Sequence, residues 1–147
     1  MKFEGNVTIN APMQKVWEFL TNPDTVSQCA PGLKSVEILV PDQQFKAVAA
    51  IGFGAVSVLF TNDVSFVEMD PPHRAVVQVH GTAPGSAVDV MSEMNLSEGG
   101  DGTTELQWTA DIIIVGTIAS LASRMMGGVT KKLTGMFFTC VKSKIES

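Results

Sequence analysis

The last thirty residues, Ile118 to Ser147, limit the fold more than any other stretch of the chain. Apolar side chains recur there at helical spacing: Ile118, Leu121, Ala122, Met125, Met126, Val129, Leu133, Met136, Phe137, Cys140 and Val141. An i, i+3, i+4, i+7 repeat of this length predicts one long amphipathic helix. The same stretch holds Arg124, Lys131, Lys132, Lys142 and Lys144, half of the chain's 10 basic residues, with Glu146 as its acid. At about 100° per residue, Arg124, Lys131 and Lys142 fall in one stripe away from the apolar side. Upstream, the apolar residues repeat mainly at the period of strands, and a sheet's apolar face needs a cover. One long C-terminal helix laid against one sheet is the expected arrangement.

Phe3, Val7 and Ile9 alternate with Glu4, Asn6 and Thr8, which predicts a half-buried first strand. Asn10-Ala11-Pro12 stops it, and Pro12 suits the first turn of a short helix carrying Met13, Val16, Trp17 and Leu20. Asn22-Pro23-Asp24 ends that helix, and Asp24 is placed to cap a second short helical turn through Cys29. Strands are expected over Leu33–Val40, Phe45–Ile51, Val56–Phe66 and Arg74–His80. A further one is marked by Val88, Val90, Met94 and Leu96, and the last runs over Thr103–Val115. Turns fall at Pro41-Asp42-Gln43, Gly52-Phe53-Gly54, Asp70 to His73, Gly81 to Gly85 and Glu98 to Gly102. The class is therefore α+β: a curved antiparallel sheet of about seven strands, two short helices after the first strand, and a long helix held in the concave face. Where sheet and helix do not close completely, an apolar cavity remains between them.

At 147 residues the chain suits one domain, 1–147, large enough to bury about two-thirds of its unfolded surface. A net charge of −5 and a pI near 4.9 argue against nucleic acid as a partner. Met1 to Asn6 has no apolar core of a secretory signal. The longest uncharged run, Ala47 to Asn62, contains Gly52 and Gly54 and is too short to span a bilayer as a helix. The expected location is cytoplasmic, or peripheral on the inner face of the membrane. Cys29 and Cys140 fit no metal-ligand spacing. Two buried, reduced thiols suit that compartment, and one disulfide between them stays open.

Chemistry is sparse. No GxSxG, HExxH or phosphate-loop pattern occurs, and Gly52-Phe53-Gly54 lacks the third glycine of a dinucleotide loop. His73, beside Pro71-Pro72, reads as a turn residue, and His80, opposite the valines, as solvent-facing. Asp63, Glu68, Asp89, Glu93, Glu105 and Asp111 alternate with apolar residues as on the wet face of a sheet. No catalytic residue, metal ligand or cofactor is assigned. The candidate cavity wall is Phe60, Asn62, Phe66, Met94, Trp108, Met125, Val129, Leu133 and Phe137. Asn62 has two readings: it orients the head group of a ligand, or it sits at a bulge and satisfies backbone groups. The stripe of Arg124, Lys131 and Lys142 likewise reads as a solvated face, or as contact with anionic lipid or an acidic partner.

Several short motifs occur in a familiar order: Phe3-x-Gly5, Ile9-x-Ala11-Pro12, Val16-Trp17-x-x-Leu20-x-x-Pro23 and Cys29-Ala30-Pro31-Gly32. Gly52, Asp70-Pro71-Pro72, Gly102-Thr103-Thr104-x-Leu106-x-Trp108 and Gly116 follow. Over essentially its whole length the chain resembles the carbon monoxide dehydrogenase G-subunit family, within the START-like, polyketide-cyclase-like (SRPBCC) superfamily. That resemblance implies the helix-grip fold and a ligand cavity between sheet and C-terminal helix, without a fixed catalytic set. It also implies company with molybdenum hydroxylases and a part in coupling them to the membrane. Many such members carry a linker and a hydrophobic tail after the domain. This sequence stops at Ser147, so reversible surface contact is the expectation. The favoured reading is a non-catalytic binder of a lipid- or quinone-like molecule. The alternatives are a small cyclase or hydrolase on a hydrophobic substrate, and an assembly factor with a vestigial cavity.

Overall fold

Seven strands form one antiparallel sheet in the order β1-β7-β6-β5-β4-β3-β2 in a computed structural model that describes residues 1–146. The strands are β1 (Lys2–Ile9), β2 (Leu33–Val40), β3 (Gln44–Phe53), β4 (Val56–Asp70), β5 (Arg74–Ala83), β6 (Ser86–Glu98) and β7 (Thr104–Gly116). The helices are α1 (Met13–Thr21), α2 (Pro23–Val26) and α3 (Ala119–Glu146), with a 3-10 turn over Ser27–Cys29. From β2 to β7 every pairing is a hairpin between sequence neighbours. β1 instead pairs with β7 at the far end of the chain, Phe3 opposite Ala110 and Gly5 opposite Trp108. The segment holding α1 and α2 therefore carries the chain from one edge of the sheet to the other. This is the helix-grip architecture, reached from alternation of apolar residues and one amphipathic helix.

The hairpins are tighter than their composition suggests. β5 continues to Ala83 and β6 begins at Ser86, so the expected loop from Gly81 to Gly85 reduces to a turn at Pro84-Gly85. β3 likewise runs through Gly52 to Phe53. Asp42 and Asp101 turn two of the hairpins with φ of 63° and 56°, a region aspartate tolerates. Gly116 joins β7 to α3 at φ 99°, and a Cβ there would collide with the carbonyl of Gly85. In β4 the register slips between Phe66 and Glu68, so the strand bends and Val67 turns outward at 46% exposure. The cap of α2 is Asn22, whose Oδ1 accepts the Asp24 N–H at 2.9 Å; Asp24 is not the cap.

Two buried clusters hold the layers together. One gathers Ile9, Val16, Trp17, Leu20, Leu96, Leu106, Val141 and Ile145, where α1 and the end of α3 meet β1, β6 and β7. The other gathers Phe53, Phe60, Ile112, Ala122, Met126 and Val129 under the start of α3. Each fully buried aliphatic side chain contributes about 1.5–3 kcal/mol. α3 changes partners along its length, from the strands to α1, so its buried face turns round the helix. Ile145 is consequently 2% exposed, whereas Met136, on the expected apolar stripe, is 49% exposed.

The cysteines are not two free thiols. Cys29 and Cys140 form a disulfide with a Cα–Cα separation of 5.5 Å, spanning 111 residues of sequence. The 3-10 turn after α2 brings Cys29 against the last third of α3, a proximity no local spacing encodes. The reduced-thiol reading is corrected.

Candidate functional site: an apolar cavity beneath the long helix

The concave face of the sheet and α3 do not close completely. A cavity of about 380 Å³ lies between them, within the size range of small-molecule sites. Its floor comes from alternate positions of neighbouring strands: Phe45, Val64, Phe66, Val77, Met94, and then Leu106, Trp108, Ala110 and Ile112 of β7. α3 supplies the roof with Met126, Thr130, Leu133, Thr134, Phe137 and Phe138. Leu20, Val26 and Pro31, from the segment of the short helices, close one end. The Phe137 and Phe138 rings meet edge to face, with centroids 5.0 Å apart.

Gly5 makes room for the largest ring of the floor. A Cβ at this position would stand 2.7–2.8 Å from three atoms of the Trp108 indole, so the ring lies over β1 only because residue 5 has no side chain. Any larger residue there would push the indole aside, into or away from the cavity.

Among the described residues, none that lines the cavity is charged. The hydroxyl-bearing members are Ser92, Thr130 and Thr134, and Trp108 adds an indole N–H. The Ser92 hydroxyl donates to the Thr109 carbonyl at 2.9 Å, and the Thr134 hydroxyl to the Thr130 carbonyl at 2.9 Å. Thr130 is 8% exposed, and its Oγ1 has no hydrogen-bond partner among the described residues.

The expected wall residues divide. Phe66, Met94, Trp108, Leu133 and Phe137 line the cavity. Phe60 and Val129 are instead buried in the second cluster, at 4% and 7% exposure, and Met125 packs against that cluster beside Gly54. Asn62 is a structural residue. Its Nδ2 donates to the Ala47 carbonyl at 3.1 Å and to the Phe60 carbonyl at 3.4 Å, and its Oδ1 occupies the space a Cβ on Gly81 would need. The satisfied-backbone reading holds for it, without a bulge: Asn62 pairs in register with Ala47 and Gly81. Sequence reasoning missed Leu20, Val26 and Pro31, whose docking no periodicity shows, and Phe138, which lies off the expected stripe.

Two groups of ionisable side chains meet on the outer face of the sheet. Arg74 Nη2 stands 2.6 Å from Glu93 and 3.5 Å from Glu68. Hydrogen bonds from Asn95 and then Arg74 hold the Glu93 carboxyl below its ordinary range, and the Glu93 hydrogen bond raises the Arg74 guanidinium. His80 Nδ1 lies 2.6 Å from Asp89 Oδ1 across β5 and β6. His80 alternates with Val77 and Val79, so this pair faces solvent on the side opposite the cavity. Alternation alone shows that these groups share a face, not that they meet. His73 sits in the β4–β5 turn, donating its backbone N–H to the Asp70 carbonyl at 2.8 Å.

On α3, Arg124 and Lys131 are exposed and Lys142 is half-buried, drawn inward as the buried face turns. None of the three makes an ion pair among the described residues. No helix among the described residues is long and apolar enough to cross a membrane.

The comparisons with known proteins agree with this architecture. A conserved protein from Geobacillus kaustophilus is 27% identical with a TM-score of 0.90, over 99% of this chain and 95% of that one. The Zhui aromatase/cyclase from a Streptomyces species is 19% identical with a TM-score of 0.75, over 99% and 93%. A START superfamily protein from Mycobacterium smegmatis is 13% identical with a TM-score of 0.68, over 99% and 97%. No curated protein sequence matches the chain. The family model for the G subunit of carbon monoxide dehydrogenase, CoxG, matches residues 5–146, nearly the whole chain, and the chain belongs to that family.

Proposed function

We propose that this protein binds an apolar or amphipathic small molecule, lipid- or quinone-like, beneath α3, and does no chemistry on it. The observation that carries this reading is the cavity wall: large, apolar and without an ionisable side chain. A general acid or base must come within hydrogen-bond reach of the reacting group, and the histidine and carboxylate pairs face the other way. A volume of about 380 Å³ favours a ligand site over a purely assembly role. The test is mass spectrometry of an organic extract beside a native spectrum of the purified chain. A stoichiometric isoprenoid or acyl species is the expected result. A protein that is empty and takes up no hydrophobic probe would remove the proposal.

Catalysis on a hydrophobic substrate is the second reading, because a relative of the same fold is an aromatase/cyclase. At 19% identity that likeness carries the fold and not the reaction.

The family takes its name from a component of carbon monoxide dehydrogenase. We infer that the bound molecule serves a molybdenum hydroxylase of that type, through reversible contact of the basic side of α3 with a membrane or with the hydroxylase. Each Lys or Arg near an anionic surface adds about 1 kcal/mol, screened by salt. Binding to anionic vesicles or to immobilised hydroxylase is therefore expected to weaken at high salt. It should also be lost on joint Arg124→Glu, Lys131→Glu and Lys142→Glu substitution; unchanged binding would sink this arm.

A further inference from the structure

We propose that Thr130 supplies the hydrogen bond that orients the ligand, and that the ligand is neutral, with a hydroxyl or carbonyl oxygen at that point and an otherwise apolar body. The inference rests on the binding reading above and narrows it. Thr130 is 8% exposed, lines the cavity, and has no partner for Oγ1. A threonine inside a helix ordinarily returns its hydroxyl to the carbonyl four residues back. Thr21 does so to Trp17 at 2.7 Å and Thr134 to Thr130 at 2.9 Å. Thr130 does not. Its hydroxyl is left as a buried donor and acceptor beside an apolar space, an arrangement native proteins rarely leave unanswered.

The rest of the wall sets the charge of the ligand. The hydroxyl protons of Ser92 and Thr134 are committed to backbone carbonyls, and among the described residues no cationic side chain lines the cavity. A carboxylate or phosphate drawn inside would be buried unpaired. A single neutral oxygen is matched by the unsatisfied hydroxyl of Thr130.

The experiment uses the purified chain with dodecanol, dodecane and dodecanoate as competitors of a fluorescent apolar probe. The ratio of dodecanol to dodecane affinity is expected to fall about fivefold to tenfold in Thr130→Val and to persist in Thr130→Ser. Dodecanoate is expected to bind the wild type more weakly than dodecanol at neutral pH. Without ligand, Thr130→Val should melt about 2–4 °C higher, because it removes an unsatisfied hydroxyl at nearly constant volume. An unchanged alcohol-to-alkane ratio, a lower melting temperature for Thr130→Val, or dodecanoate binding as tightly as dodecanol would overturn the assignment while leaving the cavity a binding site. Failure of all three competitors on the wild type would overturn the binding reading, and this inference with it.

Discussion

Replacing Cys140 with serine is expected to lower the stability of the protein by about 2–5 kcal/mol, and the melting temperature by roughly 5–20 °C. The Cys29–Cys140 bond closes a loop of 111 residues, so reduction restores much conformational freedom to the unfolded chain. Cys29 is itself buried at 4% exposure, and serine at 140 would leave its thiol without its covalent partner. The bond also joins two parts of the cavity. Val26 and Pro31 flank Cys29 in sequence, and Phe137 and Phe138 lie just before Cys140. Ligand release should therefore quicken in the serine variant. Melting curves with and without dithiothreitol give the first check. Curves that coincide within about 1 °C would mean that the bond adds nothing to the fold.

Leu133→Trp is expected to weaken ligand binding about 10–100-fold while leaving the fold intact. Leu133 faces the cavity from the middle of α3, and the larger indole would occupy volume and apolar surface the ligand otherwise uses. Losing the burial of one large side chain's worth of surface is worth about 1.5–3 kcal/mol, which sets that range. Overpacking elsewhere in a core costs about 1–3 kcal/mol, but here the added atoms enter empty space. Met136→Trp is the control, since Met136 points outward at 49% exposure. Binding reduced equally by both substitutions would place the site somewhere other than beneath α3.

The fold was legible because its signals are repetitive. Alternation from Val64 to Phe66 and from Leu106 to Ile112 shows which side chains share a face, and one amphipathic stretch shows what covers them. The same alternation is silent about position along the face. Phe60, Asn62, Val64 and Phe66 have one parity, yet Phe60 is sealed in the core, Asn62 ties backbone groups, and the next two border empty space. On α3 a straight wheel places Met136 inward and overlooks Phe138, because the buried side turns as the helix passes from the strands to α1. Thr130 stands between Val129 and Lys131 with nothing in the sequence to mark an unsatisfied hydroxyl. The disulfide and the Arg74 cluster depend on distant partners, and only the closed sheet brings those together.

The strand order carries a consequence for how the protein folds. From β2 to β7 each strand pairs with its neighbour in sequence, so those contacts close over short loops at small entropic cost. β1 must instead find β7, with Thr8 opposite Glu105, and α1 must find the end of α3. A meander of hairpins is thus the piece that can assemble first, with the two chain ends docking late. Until they arrive, the concave face is an open trough of Phe45, Val64, Phe66 and Trp108 with no roof. If the ends dock in that order, the cavity closes last, and an apolar molecule present then would be enclosed as the trough closes.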